Sequence, residues 1–469
     1  MSQYEDLGTL EDRAAQARAD AAAHPDPQQE SSGQSRMAYR LAVTAAGTLI
    51  HVADLGWYYW DGTRWAEDRG GKRTRQAVNA MLREAWRDAY DDKELMKDVQ
   101  KSQSSAAKSG IITEAAALPE FAVDIEELDA DPYLLNVANG TLDLRTMQLR
   151  PHDPADRCTK ITAGAWREDT TGPRWDQFLA ETIPHEETRA FLARYVGQAL
   201  VGEVTEHKLA ILTGTGGNGK GVWYGAVDFA LGDYAITPQP DMLLARRSDS
   251  AFDGSVELRG ARWAVFSEVD PGRALAPATL KRLTGGDRIT GRQLYRNNIS
   301  FTPSHTLAMV ANHLPEVPDM SRGMWRRLLV VPFDQEVPES QMDEQLPGKL
   351  QAEADAVLSW AVRGLMDYQQ RGRHLDPPQD VQAATGAYRE ESDQLSKFLQ
   401  EATVERAGAT VTTTALWAKY GEWAAQLGEA PQLTGRNKFA EALVDRMGWK
   451  KNSRGHWVGH ELVQAGDGW

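Results

Sequence analysis

Cysteine is almost absent: among 469 residues there is only Cys158. An internal disulfide is therefore impossible, and so is a zinc site built from several cysteines. No stretch approaches the roughly 20 consecutive apolar residues that span a bilayer. Residues 1–35 have neither a basic start nor an apolar core, so the pattern of a secretory signal is missing. A reducing, cytoplasmic setting and no membrane partner are the expectations. Positive charge is also in deficit, with a formal net charge of −15. A chain of this kind can meet a polyanion only where it concentrates cations locally. What remains is ordinary for a soluble protein: 41% hydrophobic and 25% charged residues. The length suggests about three domains at the usual ~150 residues each.

Residues 1–35 are rich in Ala, Asp, Glu, Gln and Ser and read as a disordered tail. A small α+β region is expected over 36–120. It opens on Trp57–Trp60, turns at Asp61-Gly62 and returns through Thr63–Trp65 as a β-hairpin, and helical spacing follows from Gln76 to Tyr90. A mainly helical domain is expected over 121–205. It starts with a second hairpin at Asn139-Gly140, then helices at Trp175–Thr182 and Glu187–Leu200. From 206 to 375 apolar strands alternate with helices, the sign of an α/β sheet. Pro377-Pro378 suggests a linker over 376–392, and a small module fills 393–469. No internal repeat is present.

Within the α/β segment, Leu209–Leu212 reads as a buried strand. It runs into Gly214-Thr215-Gly216-Gly217-Asn218-Gly219-Lys220-Gly221, and a helix is expected from Val222. Strand, glycine loop, lysine and helix form the physical recipe for a phosphate site. Glycines let backbone N–H groups turn inward, the helix N-terminus adds positive potential, and Lys220 can reach the β- and γ-phosphates. Residues 214–222 are thus the candidate ATP contacts. Gly221 stands where a Ser or Thr ordinarily binds Mg²⁺, so the metal must find another ligand.

A phosphate loop needs groups that position water and sense the γ-phosphate. Trp263–Ser267 reads as a second buried strand ending at Glu268, with Asp270 two residues on. Glu268 is the candidate catalytic carboxylate, and Glu268 and Asp270 are the candidate metal ligands. A third strand, Thr306–Ala311, ends at Asn312, whose amide can bond water or the γ-phosphate. Trp325-Arg326-Arg327 precedes a fourth apolar strand, and either arginine can serve as a finger toward a nucleotide.

In this order the motifs Gly-Thr-Gly-Gly-Asn-Gly-Lys220, Phe-Ser-Glu268, Leu-Thr-Gly-Gly-Asp287, Ala-Asn312-His-Leu-Pro and Trp-Arg326-Arg327 resemble superfamily-3 helicases. The likeness is to the phage and plasmid primase-helicase family that includes satellite-phage and poxvirus replication proteins. It is specific over Leu209–Phe333 and extends more weakly to residues 120–205 and the C-terminal module. The resemblance implies an α/β, AAA+-like P-loop motor driven by ATP and Mg²⁺. It also implies a homohexameric ring that translocates on single-stranded DNA in the cytoplasm of a bacterial host, with one of Arg326 and Arg327 reaching a neighbour's nucleotide. The family often carries a primase upstream. None is expected here, because the chain lacks a cysteine cluster and Asp129 and Asp131 sit in a loop-like stretch; a separate primase or polymerase is the implied companion.

Two basic concentrations are candidate DNA contacts. Lys281, Arg282, Arg288, Arg292 and Arg296 stand against Asp287 alone between residues 281 and 298. Ile289–Leu294 and Ile299–Thr302 read as a hairpin tipped by Tyr295 and Arg296. In the resembled family this hairpin enters the ring channel; arginine pairs with phosphate and tyrosine can stack on a base. Lys281, Arg288 and Arg292 support it. In the C-terminal module, Leu416, Tyr420, Trp423 and Leu427 form one helical stripe and Phe439, Leu443 and Met447 another, before a basic hairpin. That is a winged-helix-like pattern, with Arg436, Lys438, Lys450, Lys451 and Arg454 available to duplex origin DNA. The same surface could instead pack against the ring.

The leading expectation is a replicative helicase of a phage, satellite or plasmid. An origin-binding initiator that melts DNA without processive unwinding is the alternative. A phosphotransferase using the same loop is the third class, and it would need an acceptor pocket in place of the basic elements.

Overall fold

The computed structural model describes residues 31–245, 255–267, 270–292, 298–338, 340, 342–428 and 430–463, with the backbone alone at Arg292 and Asn298. Glu268, Tyr295 and Arg296, all singled out by the sequence, lie outside the described residues, as does the side chain of Arg292.

The chain starts with α1 (Gly33–Ala45), followed by the antiparallel strands β1 (Leu49–Val52), β2 (Gly56–Trp60) and β3 (Trp65–Glu67). Three helices follow: α2 (Lys72–Asp88), α3 (Lys93–Lys101) and α4 (Ser105–Ala115). The short β4 (Ala122–Val123) then returns parallel to β1. The expected Asp61-Gly62 turn is present. Asp61 accepts hydrogen bonds from the backbone N–H of Thr63 and Arg64 at 2.8 and 2.9 Å, and Gly62 takes φ +102°. Strand alternation sorts the residues by face. Leu49 packs with Met37, Leu41, Val78 and Met81 under the helices, while Ile50, Val52 and Tyr58 point to the other side.

Next comes the sheet of β5 (Leu134–Val137), β6 (Gly140–Asp143) and β7 (Gln148–Arg150). Val137 pairs with Gly140, so the turn residues are Ala138 and Asn139, one position earlier than the Asn-Gly signal suggests. Gly140 is needed in the strand because a Cβ there would lie 2.3 Å from the carbonyl of Arg150. Helices α5 (Pro173–Thr182) and α6 (Glu186–Ala199) follow. This stretch is not a separate helical layer: Phe191, Tyr195 and Val196 share one core with the central sheet. The buried Tyr195 hydroxyl donates to the Leu307 carbonyl (2.7 Å) and accepts from the Ala210 N–H (3.0 Å).

The central sheet is built from β8 (Leu209–Thr213), β9 (Ala235–Ile236), β10 (Trp263–Phe266), β13 (Thr306–Ala311) and β14 (Leu328–Pro332). All five are parallel, in the order β14-β8-β13-β10-β9. Between β10 and β13 the chain makes α8 (Pro277–Leu283) and the antiparallel pair β11 (Ile289–Arg292) and β12 (Asn298–Phe301), the hairpin expected from the sequence. Both faces are covered, which explains the unbroken apolar strands. Ala210, Leu212, Val265 and Val331 meet α6, α7 (Lys220–Leu231) and α11 (Ala354–Gln370); Ile211, Phe266, Met309 and Val330 meet α8 and α9 (Arg322–Trp325). Glycine lets α6 and α11 approach closely: a Cβ on Gly364 would sit 2.0 Å from the Ala193 carbonyl.

After α10 (Leu346–Ala352) and α11, the stretch read as a linker contains α12 (Gln379–Ser392). Tyr388 stacks edge-on against Trp325 at 5.3 Å, and Thr385 accepts the Val330 N–H at 2.9 Å. The helix thus covers the open edge of β14, which the Pro-Pro signal could not reveal. The C-terminal unit comprises α13 (Gln394–Ala402), β15 (Thr403–Val411), α14 (Thr413–Gln426), α15 (Arg436–Asp445) and β16 (Trp457–Leu462), with β15 antiparallel to β16. Phe398, Leu416, Tyr420, Phe439 and Trp457 form its own core. Among the described residues no helix is long and apolar enough to cross a membrane.

Candidate functional site

β13 lies between β8 and β10, so consecutive strands separate at their carboxyl ends and leave a crevice there, the place where open α/β sheets take ligands. The glycine loop leaves β8 into this crevice and Asn312 leaves β13 beside it. Gly216, Gly217 and Gly219 have φ of +113°, +62° and +78°, which only glycine adopts freely. The loop is braced from three sides. Asn218 donates to the Phe333 carbonyl (2.9 Å), Thr215 donates to Glu336 (2.7 Å), and the Gly217 carbonyl accepts from Val337 (3.0 Å). Gly219 rests on α5: a Cβ there would lie 2.7 Å from the Thr182 methyl.

Lys220 opens α7 and folds back over the loop. Its ammonium donates to the Gly214 carbonyl (2.7 Å) and to the Asn218 side-chain oxygen (2.9 Å). Burial holds its pKa below the usual lysine range. A cavity of about 410 Å³ stands over the loop, lined by Gly216–Val222, Tyr224, Ser267, Val310 and Asn312. Lys220 and Asn312, 92 positions apart, therefore share one cavity. Gly221 has open space around it, with nothing within 4 Å of the place a Cβ would take. Asp270 is exposed beyond β10. No cluster of three or more metal-ligating side chains occurs among the described residues.

The two arginines lie elsewhere. β14 runs parallel to β8 with Leu328 opposite Leu209 and Pro332 opposite Thr213, so Arg326 and Arg327 sit at the amino edge of the sheet. At ~3.3 Å per residue, about 15 Å of strand separates them from their own chain's loop. They also differ from each other. Arg327 is buried and donates to Thr284 (3.1 Å) and to the Gly323 carbonyl, whereas Arg326 is exposed.

The basic candidates divide similarly. Lys281 is ion-paired with Asp319 at 2.7 Å, and Arg288 lies 3.4 Å from Glu126 while remaining exposed. In the C-terminal unit Arg436, Lys438, Lys450, Lys451 and Arg454 are all exposed. Lys451 stands over the Trp457 ring at 4.4 Å, and Arg436 donates to Thr414 at 3.2 Å. Asp129 and Asp131 are occupied structurally, by Thr159 and by Arg145. Burial pushes the Cys158 thiol up to about 12, so it stays protonated.

Sequence reasoning missed Thr215–Glu336, Asn218–Phe333, Tyr224 and the α5 floor under Gly219. No local signal announces them, because tertiary packing alone brings them to the loop.

Comparison with known proteins adds two family matches. Residues 34–184 match the family described as D5 N terminal like, and residues 212–327 match a family of unknown function (DUF5906). A candidate helicase of Acanthamoeba polyphaga mimivirus is 29% identical over 304 residues, 59% of this chain and 32% of that protein. A candidate helicase of Frog virus 3 is 27% identical, covering 61% of this chain and 30% of its own length. A candidate primase of African swine fever virus is 23% identical, covering 71% and 38%. The chain spans about a third of the length of the curated relatives it matches. Among solved structures, the C-terminal region of NrS-1 aligns with a TM-score of 0.40 at 10% identity, over 64% of this chain and 77% of that one.

Proposed function

Because the chain belongs to the phage and viral primase-helicase family, we propose that it is an ATP-dependent DNA helicase serving replication of a phage, phage satellite or plasmid. The observation that carries this reading is the joining of Lys220 and Asn312 in one cavity over the glycine loop. The strand order around that crevice, β14-β8-β13-β10-β9, supports an AAA+-like P-loop motor.

The residues fit ATP. Left-handed glycines at 216, 217 and 219 allow successive N–H groups to face one anion. The ammonium of Lys220 would exchange its loop acceptors for phosphate oxygens, and a phosphate's negative charge offsets the desolvation that lowers its pKa. Asn312 is the candidate γ-phosphate sensor. Mg²⁺ would be held by the nucleotide and by Asp270 and, on sequence grounds, Glu268, since Gly221 offers no hydroxyl. The exposed Arg326 at the far edge of the sheet fits a finger that acts on a neighbouring subunit, which calls for a ring, hexameric in the resembled family. The β11–β12 hairpin would grip single-stranded DNA. The α13–β15–α14–α15–β16 unit, with its exposed cations, fits a winged-helix-like contact to duplex DNA.

The test is DNA-stimulated ATP hydrolysis together with strand displacement on a forked substrate, for the wild type, Lys220→Ala and Arg296→Ala. Both activities are expected to require Lys220, and displacement to require Arg296. ATP hydrolysis with origin melting but no displacement of forks would favour the initiator. Transfer of phosphate to an acceptor other than water would refute both.

A further inference from the structure

α2 is amphipathic in an unusual way. Thr74, Val78, Met81, Leu82 and Ala85 are buried against α1, α3 and α4. Its exposed residues include Lys72, Arg73, Arg75, Arg83 and Arg87 against Glu84 and Asp88, a local +3 in a chain of −15, with Arg73 over the Tyr59 ring at 5.1 Å and Lys72, Arg83 and Arg87 opposite the buried face. Asp88 is taken by Arg40 of α1. Among the described residues no carboxylate pairs with Lys72, Arg83 or Arg87. At 100° per residue, Lys72, Arg83 and Arg87 fall within a ~60° arc, with Trp86 beside it, and Tyr90 lies in the turn that follows α2. Two large aromatics stand out among these cations: Trp86 is 47% exposed and Tyr90 88% exposed.

We propose that this face of α2 is a contact for single-stranded DNA, separate from the motor. Charge complementarity selects a polyanion, and the aromatics select one with stackable faces. Arg83 and Arg87 are one helical turn apart, about 6 Å along the axis. Cations that track a backbone, interleaved with aromatic rings that accept any base, are the means by which proteins hold single strands without reading sequence. Arg75 extends the surface toward α4, where it donates to Ser105 and Ser109 at 3.2 and 3.3 Å. An acidic protein segment would neutralise the cations equally well but leave Trp86 and Tyr90 without a stacking partner.

The test uses the full chain and labelled oligo-dT, read by anisotropy across a salt series. Arg83→Ala/Arg87→Ala should weaken binding and lower the log–log salt slope by about 1.4, from ~0.7 per lost phosphate contact on a single strand. Trp86→Ala should weaken binding roughly fivefold or more with the slope unchanged. Photo-crosslinking with an iodouracil-substituted oligonucleotide should label Trp86 or Tyr90. Wild-type affinity and slope in both variants, with crosslinks only in other parts of the chain, would overturn the inference and leave the proposed helicase intact. Loss of binding in the arginine pair alone, with polyglutamate competing as well as oligo-dT, would overturn it in favour of an acidic protein partner. A chain that does not bind oligo-dT at all would sink the inference and the proposed function together.

Discussion

Two glycines two residues apart in the glycine loop should respond oppositely to the same small change. Gly219 has φ +78° and ψ −3°, and a Cβ there would meet the Thr182 methyl at 2.7 Å and the Phe178 ring at 3.2 Å. Thr182 is 2% exposed and cannot swing away. Gly219→Ala therefore carries left-handed strain of about 1–2 kcal/mol and overpacking of about 1–3 kcal/mol. The loss of unfolded-chain freedom offsets ~0.4–1 kcal/mol, leaving a net cost of about 3 kcal/mol from the middle of these ranges. The loop can shed that cost only by leaving its geometry, and a nucleotide must then restore it. Affinity for a fluorescent ATP analogue should fall about 100-fold, at 1.4 kcal/mol per tenfold. Gly221→Ala, with nothing within 4 Å and a position in the first turn of α7, should bind within about threefold of wild type and unfold at equal or higher urea, since alanine favours helix by up to about 1 kcal/mol. Equal affinities in the two variants would refute the view that α5 shapes the loop.

Lys220→Ala should abolish ATP hydrolysis, because no other described cation is held over the loop, and near-normal turnover would remove the site assignment. Glu268→Gln is expected to bind ATP yet hydrolyse it slowly in a single-turnover assay; normal turnover would shift the role to Asp270. Arg326→Ala protein mixed with Lys220→Ala protein should recover part of the ATPase through mixed interfaces. Arg327→Ala should instead lower the unfolding midpoint, having lost its bonds to Thr284 and Gly323, and complementation by it without destabilisation would reverse the two roles. Burial pushes the Asp228 carboxyl up to about 7, against the hydrogen bond from Trp263 at 3.0 Å. The folded state then binds more protons than the unfolded chain between about pH 4 and 7, so this group's contribution to stability declines as pH rises through that window. Asp228→Asn should remove the decline and unfold at higher urea than wild type at pH 8, by a margin that disappears near pH 4.

The glycine loop was legible because its chemistry is local. A glycine needed for φ > 0, a lysine at a helix start and a short apolar strand are written in adjacent residues, and the structure has all of them. The parallel strands at 209–213, 263–266, 306–311 and 328–332 were legible for a related reason: burial on both faces leaves unbroken apolar runs. Their order was not, since no residue of β13 announces that it lies between β8 and β10. The helix at Gln379–Ser392 was hidden by the prolines before it. Its stability comes from Tyr388 on Trp325 and Thr385 on the edge of β14, contacts that span more than 50 positions.

Arg326 and Arg327 mark where sequence reasoning ends. They are adjacent, equally charged and equally suited to grip a phosphate, and no local pattern separates them. What separates them is the direction each faces at the entry to β14. The chain turns out of α9 so that Arg327 points inward to Thr284, the residue that closes α8 43 positions earlier, and Arg326 is left facing out. A guanidinium held by a buried hydroxyl and a backbone carbonyl cannot leave without stranding both partners, at roughly 1–3 kcal/mol for each unsatisfied group. The exposed neighbour has no such anchor and can reach outward. Packing at the amino edge of the sheet thus leaves Arg326, rather than Arg327, accessible for the finger role proposed toward a neighbouring subunit.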